Sequence, residues 1–200
     1  MSFFSMFGQA PPSGNPYAAY AIYDSFTDAN DTALTSHVPE QKPAGAAWTD
    51  FVGIGGFTIQ GNAASDTGPT DQGIIIESGV SDGTISVSNM VLGKDNGLLA
   101  RCTTWQNGIM VEYSVGRGKW EMYRLQGAYN PIGTDYVEAH SAGDVITTVA
   151  LVLSGSSISF VLNGVERISA TDTYNQTETK HGLFGYAEIG QARWGLFSVA

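Results

Sequence analysis

The sequence predicts an all-β protein, an antiparallel two-sheet β-sandwich of the jelly-roll type, preceded by an extended N-terminal arm. Three observations carry that expectation. Short runs with an apolar residue at every second position recur through the second half of the chain, as strands packed on one face require. Turn residues separate those runs: Asn163-Gly164, Asn107-Gly108 and Gly116-Arg117-Gly118 tolerate the positive φ angles of tight hairpins. No segment of ten or more residues holds a sustained helical period.

Taken in order, residues 1–18 read as an arm. Phe3, Phe4, Met6 and Phe7 are apolar, and Pro11-Pro12-Ser13-Gly14-Asn15-Pro16 then opposes regular structure. Exposed apolar side chains usually mark a contact, so the arm either folds back on its own sandwich or docks on a neighbouring subunit. Residues 19–200 form one domain. Tyr20–Phe26 is a first strand, followed by a long loop through Pro39 and Pro43 to about Ala47. Trp48 to Ala63 contains two short strands around Gly53, Gly55 and Gly56. Gly73–Ser78 is apolar without alternation, which predicts burial on both faces. Thr84–Ser88 alternates cleanly after the Ser81-Asp82-Gly83 turn. Leu98–Thr103, Ile109–Val115 and Lys119–Leu125 form a three-strand meander, with Asn107-Gly108 and Gly116-Arg117-Gly118 as its turns. Val145–Leu153 is one long β-branched strand. Ser157–Leu162 and Val165–Ile168 form a hairpin, with Phe160 between Ile158 and Leu162 on the face that points between the sheets. Gly182–Tyr186 and Ala192–Phe197 add the last two strands.

The bulk properties narrow the possible partners. A chain of 200 residues with 42% hydrophobic residues can bury a single core without covalent staples. Nine basic residues against 19 acidic ones give a net charge of −10. That balance argues against nucleic acid and against anionic membrane surfaces, both of which attract positive charge. The N-terminus lacks the basic start and long apolar core of a secretory signal. One cysteine, Cys102, leaves no intrachain disulfide and is expected to be a buried, inert thiol.

Several segments resemble, in order, the laminin-G-like jelly-roll group of the concanavalin A-like lectin/glucanase superfamily, of the kind found in phage structural proteins. They are Asp24-Ser25-Phe26; Leu34-Thr35-Ser36-His37-Val38-Pro39 with Trp48; and Gly56-Phe57-Thr58-Ile59-Gln60-Gly61-Asn62-Ala63-Ala64. Asp82-Gly83-Thr84, Gly97-Leu98-Leu99-Ala100-Arg101, Val161-Leu162-Asn163-Gly164-Val165 and Gly182-Leu183-Phe184 follow. The likeness covers about residues 20–200 and implies a concanavalin A-like sandwich. Its members include lectins, glucanase domains, adhesion modules and virion decorations, so it specifies function poorly.

The chemistry of the sequence is sparse. Glucanases need carboxylates projecting together into a sugar cleft, and no Glu-x-Asp pair lies on one strand face. Glu112, Glu121 and Glu77 each read as a lone solvated or edge acid, and catalysis would require acids gathered from different strands. His37, His140 and His181 lack both metal-ligand spacing and a nucleophile elbow. His37 is expected to hold a loop by hydrogen bonding. Asp24, Asp28, Asp31 and Asp50 do not form a spaced calcium loop, so no metal or other cofactor is expected. Among the aromatics, Trp120 and Trp194 have apolar neighbours on their faces and read as core, whereas Trp105, Tyr129 and Tyr136 are the candidate glycan contacts.

The expected function is that of a non-enzymatic virion structural protein, a capsid decoration protein of a tailed phage. Its partners would be the major capsid protein and further copies of itself, bound through Phe3, Phe4, Met6 and Phe7. It would be made in the host cytoplasm and located in the virion. The alternative is a carbohydrate-binding, lectin-like module that recognises a cell-surface glycan, and the third reading is a glycan hydrolase with dispersed acids.

Overall fold

The computed structural model describes residues 15–50, 56–68, 70–104, 106–186 and 192–200. The arm residues Phe3, Phe4, Met6 and Phe7, the candidate Trp105, and Gly53 and Gly55 lie outside the described residues. The chain runs through β1 (Ile22–Asp24), a 3-10 turn (Leu34–Ser36), β2 (Thr49–Asp50), β3 (Phe57–Ile59), β4 (Ala64–Asp66), β5 (Asp71–Glu77) and β6 (Gly83–Val91). It continues through β7 (Asp95–Thr104), β8 (Asn107–Ser114), β9 (Lys119–Gln126), β10 (Tyr129–Pro131), β11 (Tyr136–Val137) and β12 (Val145–Ser154). It ends with β13 (Ser157–Leu162), β14 (Val165–Thr171), β15 (Lys180–Tyr186), β16 (Arg193–Trp194) and β17 (Leu196–Val199).

Two antiparallel sheets result. One has the order β14-β13-β12-β6-β16-β4-β3, with β17 bridging β6 and β1; the other has the order β10-β9-β8-β7-β15-β5-β2, with β11 beside β9. The predicted sandwich is therefore observed. The alternation of the sequence sets its core. Ile22, Val199, Ile85, Leu151, Phe160 and Ile168 are successive cross-strand partners in one row across the first sheet, and all are buried. Phe160 meets Trp120 of the second sheet with ring centroids 4.8 Å apart. Trp120 and Trp194 are fully buried as expected, and the Trp194 indole N–H donates to the Gly97 carbonyl at 3.2 Å.

The non-alternating segment behaves as read. The five central residues of β5 are all buried, with Ile74 and Ile76 in the main core and Ile75 in a second apolar cluster on the opposite face of the sheet. The hairpin at Asn163-Gly164 is also as read, with φ of 51° and 80° at those two residues and Leu162 paired to Val165. The Gly116-Arg117-Gly118 turn is confirmed by Ser114 pairing with Lys119. Asn107-Gly108, expected as a turn, instead opens β8. Thr104 pairs with Asn107, so the reversal falls between those two residues, ahead of the dipeptide. At the start of the described chain, Tyr17 stacks on Tyr23 of β1 at 4.2 Å, and a turn is closed by Ala18 N–H on the Asn15 carbonyl.

The segments that carried the family resemblance meet in space. The fully buried Asp24 carboxylate accepts from the Trp48 indole at 2.7 Å and the Phe26 amide at 2.7 Å, and it holds His37 Nε2 at 2.9 Å. His37 reaches on to Asp28 through Nδ1 at 3.3 Å, which is the loop-holding role expected of it. Burial alone would lower the His37 pKa, but the hydrogen bond and charge of Asp24, reinforced by Asp28, outweigh it and raise the value. A second group of markers converges on Arg101. Its buried guanidinium binds Asp82 at 2.7 Å and the Gly155 carbonyl at 2.8 Å, while its amide donates to His181 Nδ1 at 3.2 Å. Burial pushes the His181 pKa down to about 4, so it stays neutral and donates from Nε2 to the Val80 carbonyl.

Candidate functional site

The second sheet turns one face into the sandwich and the other outward, and the outward face carries the candidate site. Strand alternation puts Ile109, Val111 and Tyr113 of β8 inside and leaves Met110 and Glu112 on the outer side. In the same way, β9 turns Trp120 and Met122 inward and Tyr123 outward, with Glu121 on the outward side by the same alternation. Register then assembles rows across five strands. Asp71, Tyr186, Asp95, Ser114 and Lys119 are successive partners in one row, and Gly73, Phe184, Gly97, Glu112 and Glu121 in the next. Gly97 is required here, because a Cβ would lie 1.8 Å from the Val111 carbonyl oxygen of the adjoining strand.

These rows line a groove of about 380 Å³ bounded by Asp71, Asp95, Glu112, Arg117, Tyr123, Tyr129, Phe184 and Tyr186. Tyr129 projects from β10, stands edge-on to Tyr123 at 5.5 Å and donates its hydroxyl to Asp71 at 3.1 Å. A second recess on the same sheet, of about 270 Å³, lies against Ile75, Glu77 and Lys180.

Glu112 and Glu121 are not the lone solvated acids expected from the sequence. They are direct cross-strand partners, 4% and 6% exposed, so each is next to the other and largely out of water. The reason is the turn between their strands: pairing Ser114 with Lys119 necessarily sets Glu112 opposite Glu121. Arg117 in that turn binds both, with its terminal nitrogen 2.6 Å from Glu112 and its Nε on Glu121. Lys119 adds a contact to Glu121 at 2.9 Å. Burial raises the Glu112 pKa to about 7, with Asp95 adding to the rise; Arg117, shared between two acids, offsets only part of it. Asp95 is also raised, chiefly by burial. The Tyr123 and Tyr129 hydroxyls are raised by burial first and then by Glu121 and Asp71 respectively.

Of the aromatics singled out in the sequence, Tyr129 lies in this groove. Tyr136 does not: it pairs with Trp120 along β9, packs against the inter-sheet core, and carries the Arg167 guanidinium 4.6 Å from its ring centroid. Asp71, Asp95, Phe184 and Tyr186 were missed, because three strands distant in sequence bring them together. Cys102 is buried in the second apolar cluster, and burial pushes its thiol up to about 12, far from the reactive range. Among the described residues, no group of three or more His, Cys, Asp or Glu side chains is placed to hold a metal ion. Asp24 and Asp28 are engaged by His37, and Asp31 accepts from the Gln60 side chain at 2.6 Å.

No protein-family model matches the sequence, and a comparison with curated proteins finds no match. Solved structures do match. Carbohydrate binding module CBM66 from Bacillus subtilis superposes with a TM-score of 0.58 at 16% identity, over 74% of this chain and 91% of that one. LamAcat from Zobellia galactanivorans gives 0.55 at 8% identity, over 90% and 96%. Domain 4 of AbnA, a GH43 extracellular arabinanase from Geobacillus stearothermophilus solved with arabinotriose, gives 0.51 at 14% identity, over 90% and 94%. At these identities the likeness shows the fold: a two-sheet jelly-roll sandwich, shared with a carbohydrate binding module and with a domain of an extracellular arabinanase.

Proposed function

We propose that the protein binds a carbohydrate in the groove on the outward face of its second sheet. The observation that carries this reading is the composition of the groove. Aromatic side chains from β9, β10 and β15 stand beside carboxylates from β5, β7 and β8. A sugar presents apolar C–H faces and hydroxyl donors, which such rings and carboxylates match in turn. The shared fold with carbohydrate-binding modules supports the same reading. These neighbours lend no support to a virion role, so the lectin-like alternative takes precedence over it.

Affinity electrophoresis against a panel of soluble plant, bacterial and fungal polysaccharides tests the proposal. At least one should retard the protein. Tyr129→Ala and Tyr186→Ala should each weaken that binding by about tenfold, the equivalent of about 1.4 kcal/mol, with the thermal midpoint unchanged. Binding that survives both substitutions would move the site elsewhere, and a panel without any retardation would remove the reading.

Hydrolysis is a second reading, favoured by one observation. Directly paired cross-strand residues have Cβ atoms about 4.5–5.5 Å apart, and a glutamic acid with a pKa of about 7 beside a second glutamate suits acid catalysis. Arg117 argues against it. The guanidinium grips both carboxylates, so neither is free to attack a sugar carbon or to hand its proton to a leaving oxygen. The protein is therefore expected to bind its glycan without releasing reducing ends. Turnover that disappears in Glu112→Gln would reverse the order of the two readings.

A further inference from the structure

The charges around the groove bear on which glycans it takes, given the reading that it takes one. Asp71, Asp95 and Glu112 line it, and Glu121 lies beside Glu112. The nearby cations are already engaged. Arg117 is held by Glu112 and Glu121. Lys119 is held by Glu121 at 2.9 Å and Asp135 at 2.6 Å. The Lys94 ammonium sits over the Tyr186 ring, 4.7 Å from its centroid. Tyr186 is the cross-strand partner of both Asp71 and Asp95, so two carboxylates flank an aromatic ring on which an ammonium already rests. The raised values of Glu112, Asp95, Tyr123 and Tyr129 each include a contribution from a neighbouring carboxylate, the signature of a negative potential in the groove.

We propose that the groove selects its glycan by charge, accepting chains of neutral or amine-bearing sugars and rejecting those that carry carboxylate or sulfate groups, with Glu112 as the residue that sets this selectivity by engaging Arg117. An acidic sugar would have to share Lys94 with the Tyr186 ring, between Asp71 and Asp95, or draw Arg117 away from two largely buried carboxylates. Loss of Arg117 leaves the largely buried Glu112 without its cation and next to Glu121, whose remaining partner is Lys119, and that costs more than the new contact returns. An amine-bearing sugar meets no such conflict: Asp71 and Asp95 line the groove on either side of the Tyr186 ring and accept its N–H groups there. Discrimination therefore comes from a penalty built against the wrong ligand as well as from attraction to the right one.

The experiment extends the binding panel to matched probes: the neutral polysaccharide that binds, chitosan oligosaccharides as the amine-bearing probe, and oligogalacturonate with dextran sulfate as acidic probes. The wild type should bind the acidic probes at least about tenfold more weakly than the neutral or amine-bearing ones. Glu112→Gln, close in shape, frees Arg117 from one acid and should close most of that gap. Glu166→Gln removes the same charge from an exposed position on β14 of the other sheet and should leave the ranking as it was. Acidifying the wild type from pH 8 to pH 6 is an independent route to the same end if the Gln variant does not fold. The groups facing Glu112 over that range are Asp95 on β7, Arg117 in the turn, Glu121 and Tyr123 on β9 and Tyr129 on β10, with Asp71 and Tyr186 across the groove. Acidic probes binding as well as neutral ones would overturn the charge rule and leave glycan binding standing. An unchanged ranking in Glu112→Gln and on acidification would remove Glu112 from the role. Absence of binding by every probe would remove the glycan reading itself, and this inference with it.

Discussion

Replacing Phe160 with alanine should destabilise the fold by about 3–5 kcal/mol, the range for deleting a buried aromatic side chain. Phe160 is fully buried, sits in the row Ile85–Leu151–Phe160–Ile168 of the first sheet, and touches Trp120 of the second. The ring therefore joins the two sheets, and its removal leaves a void that cross-strand partners on a pleated sheet cannot close without shifting register. Urea denaturation of the purified variant measures the loss as a lower midpoint at similar slope. A cost below about 1 kcal/mol would mean that the ring makes no such bridge.

Asp24→Ala should cost about as much, roughly 3–5 kcal/mol, for a different reason. Truncating Asp24 strands three donors at once: the Trp48 indole, the Phe26 amide and His37. A buried donor without a partner carries the full desolvation penalty. Asp24→Asn separates charge from volume. Because the folded His37 pKa is raised, the stability it contributes is present below its ordinary value of 6.5 and is lost as pH rises through the raised one. The advantage of the wild type over Asp24→Asn should therefore narrow between pH 5.5 and pH 8. Denaturation midpoints of both proteins across that range check the sign, and a widening gap would contradict the His37 assignment.

Much of the scaffold was legible in the sequence because it rests on local rules. A period of two places Phe160, Trp120 and Trp194 inside whatever the strands pair with, and Asn163-Gly164 makes its hairpin from backbone preference alone. Asn107-Gly108 shows the limit of that logic, since the same dipeptide is drawn into β8 when pairing with β7 extends the ladder past it. The resemblance markers were recognisable as a set. Their common cause, convergence of Phe26, His37 and Trp48 on one carboxylate, is a three-dimensional fact.

The groove divides along the same line. Alternation alone put Tyr123 and Glu112 on the face opposite Tyr113 and Trp120, and the meander turn set the register that pairs Glu112 with Glu121. That pair was present in the sequence for anyone who carried the turn through to the strands on either side of it. Asp71, Asp95 and Tyr186 were not, because they meet only when β15 inserts between β5 and β7. By itself, then, the sequence determined which side of each strand is apolar and where most of the chain reverses, since both follow from neighbouring residues. Only the tertiary structure decided which outward side chains share a groove, because strand order is a property of contacts between residues as far apart as Asp71 and Tyr186.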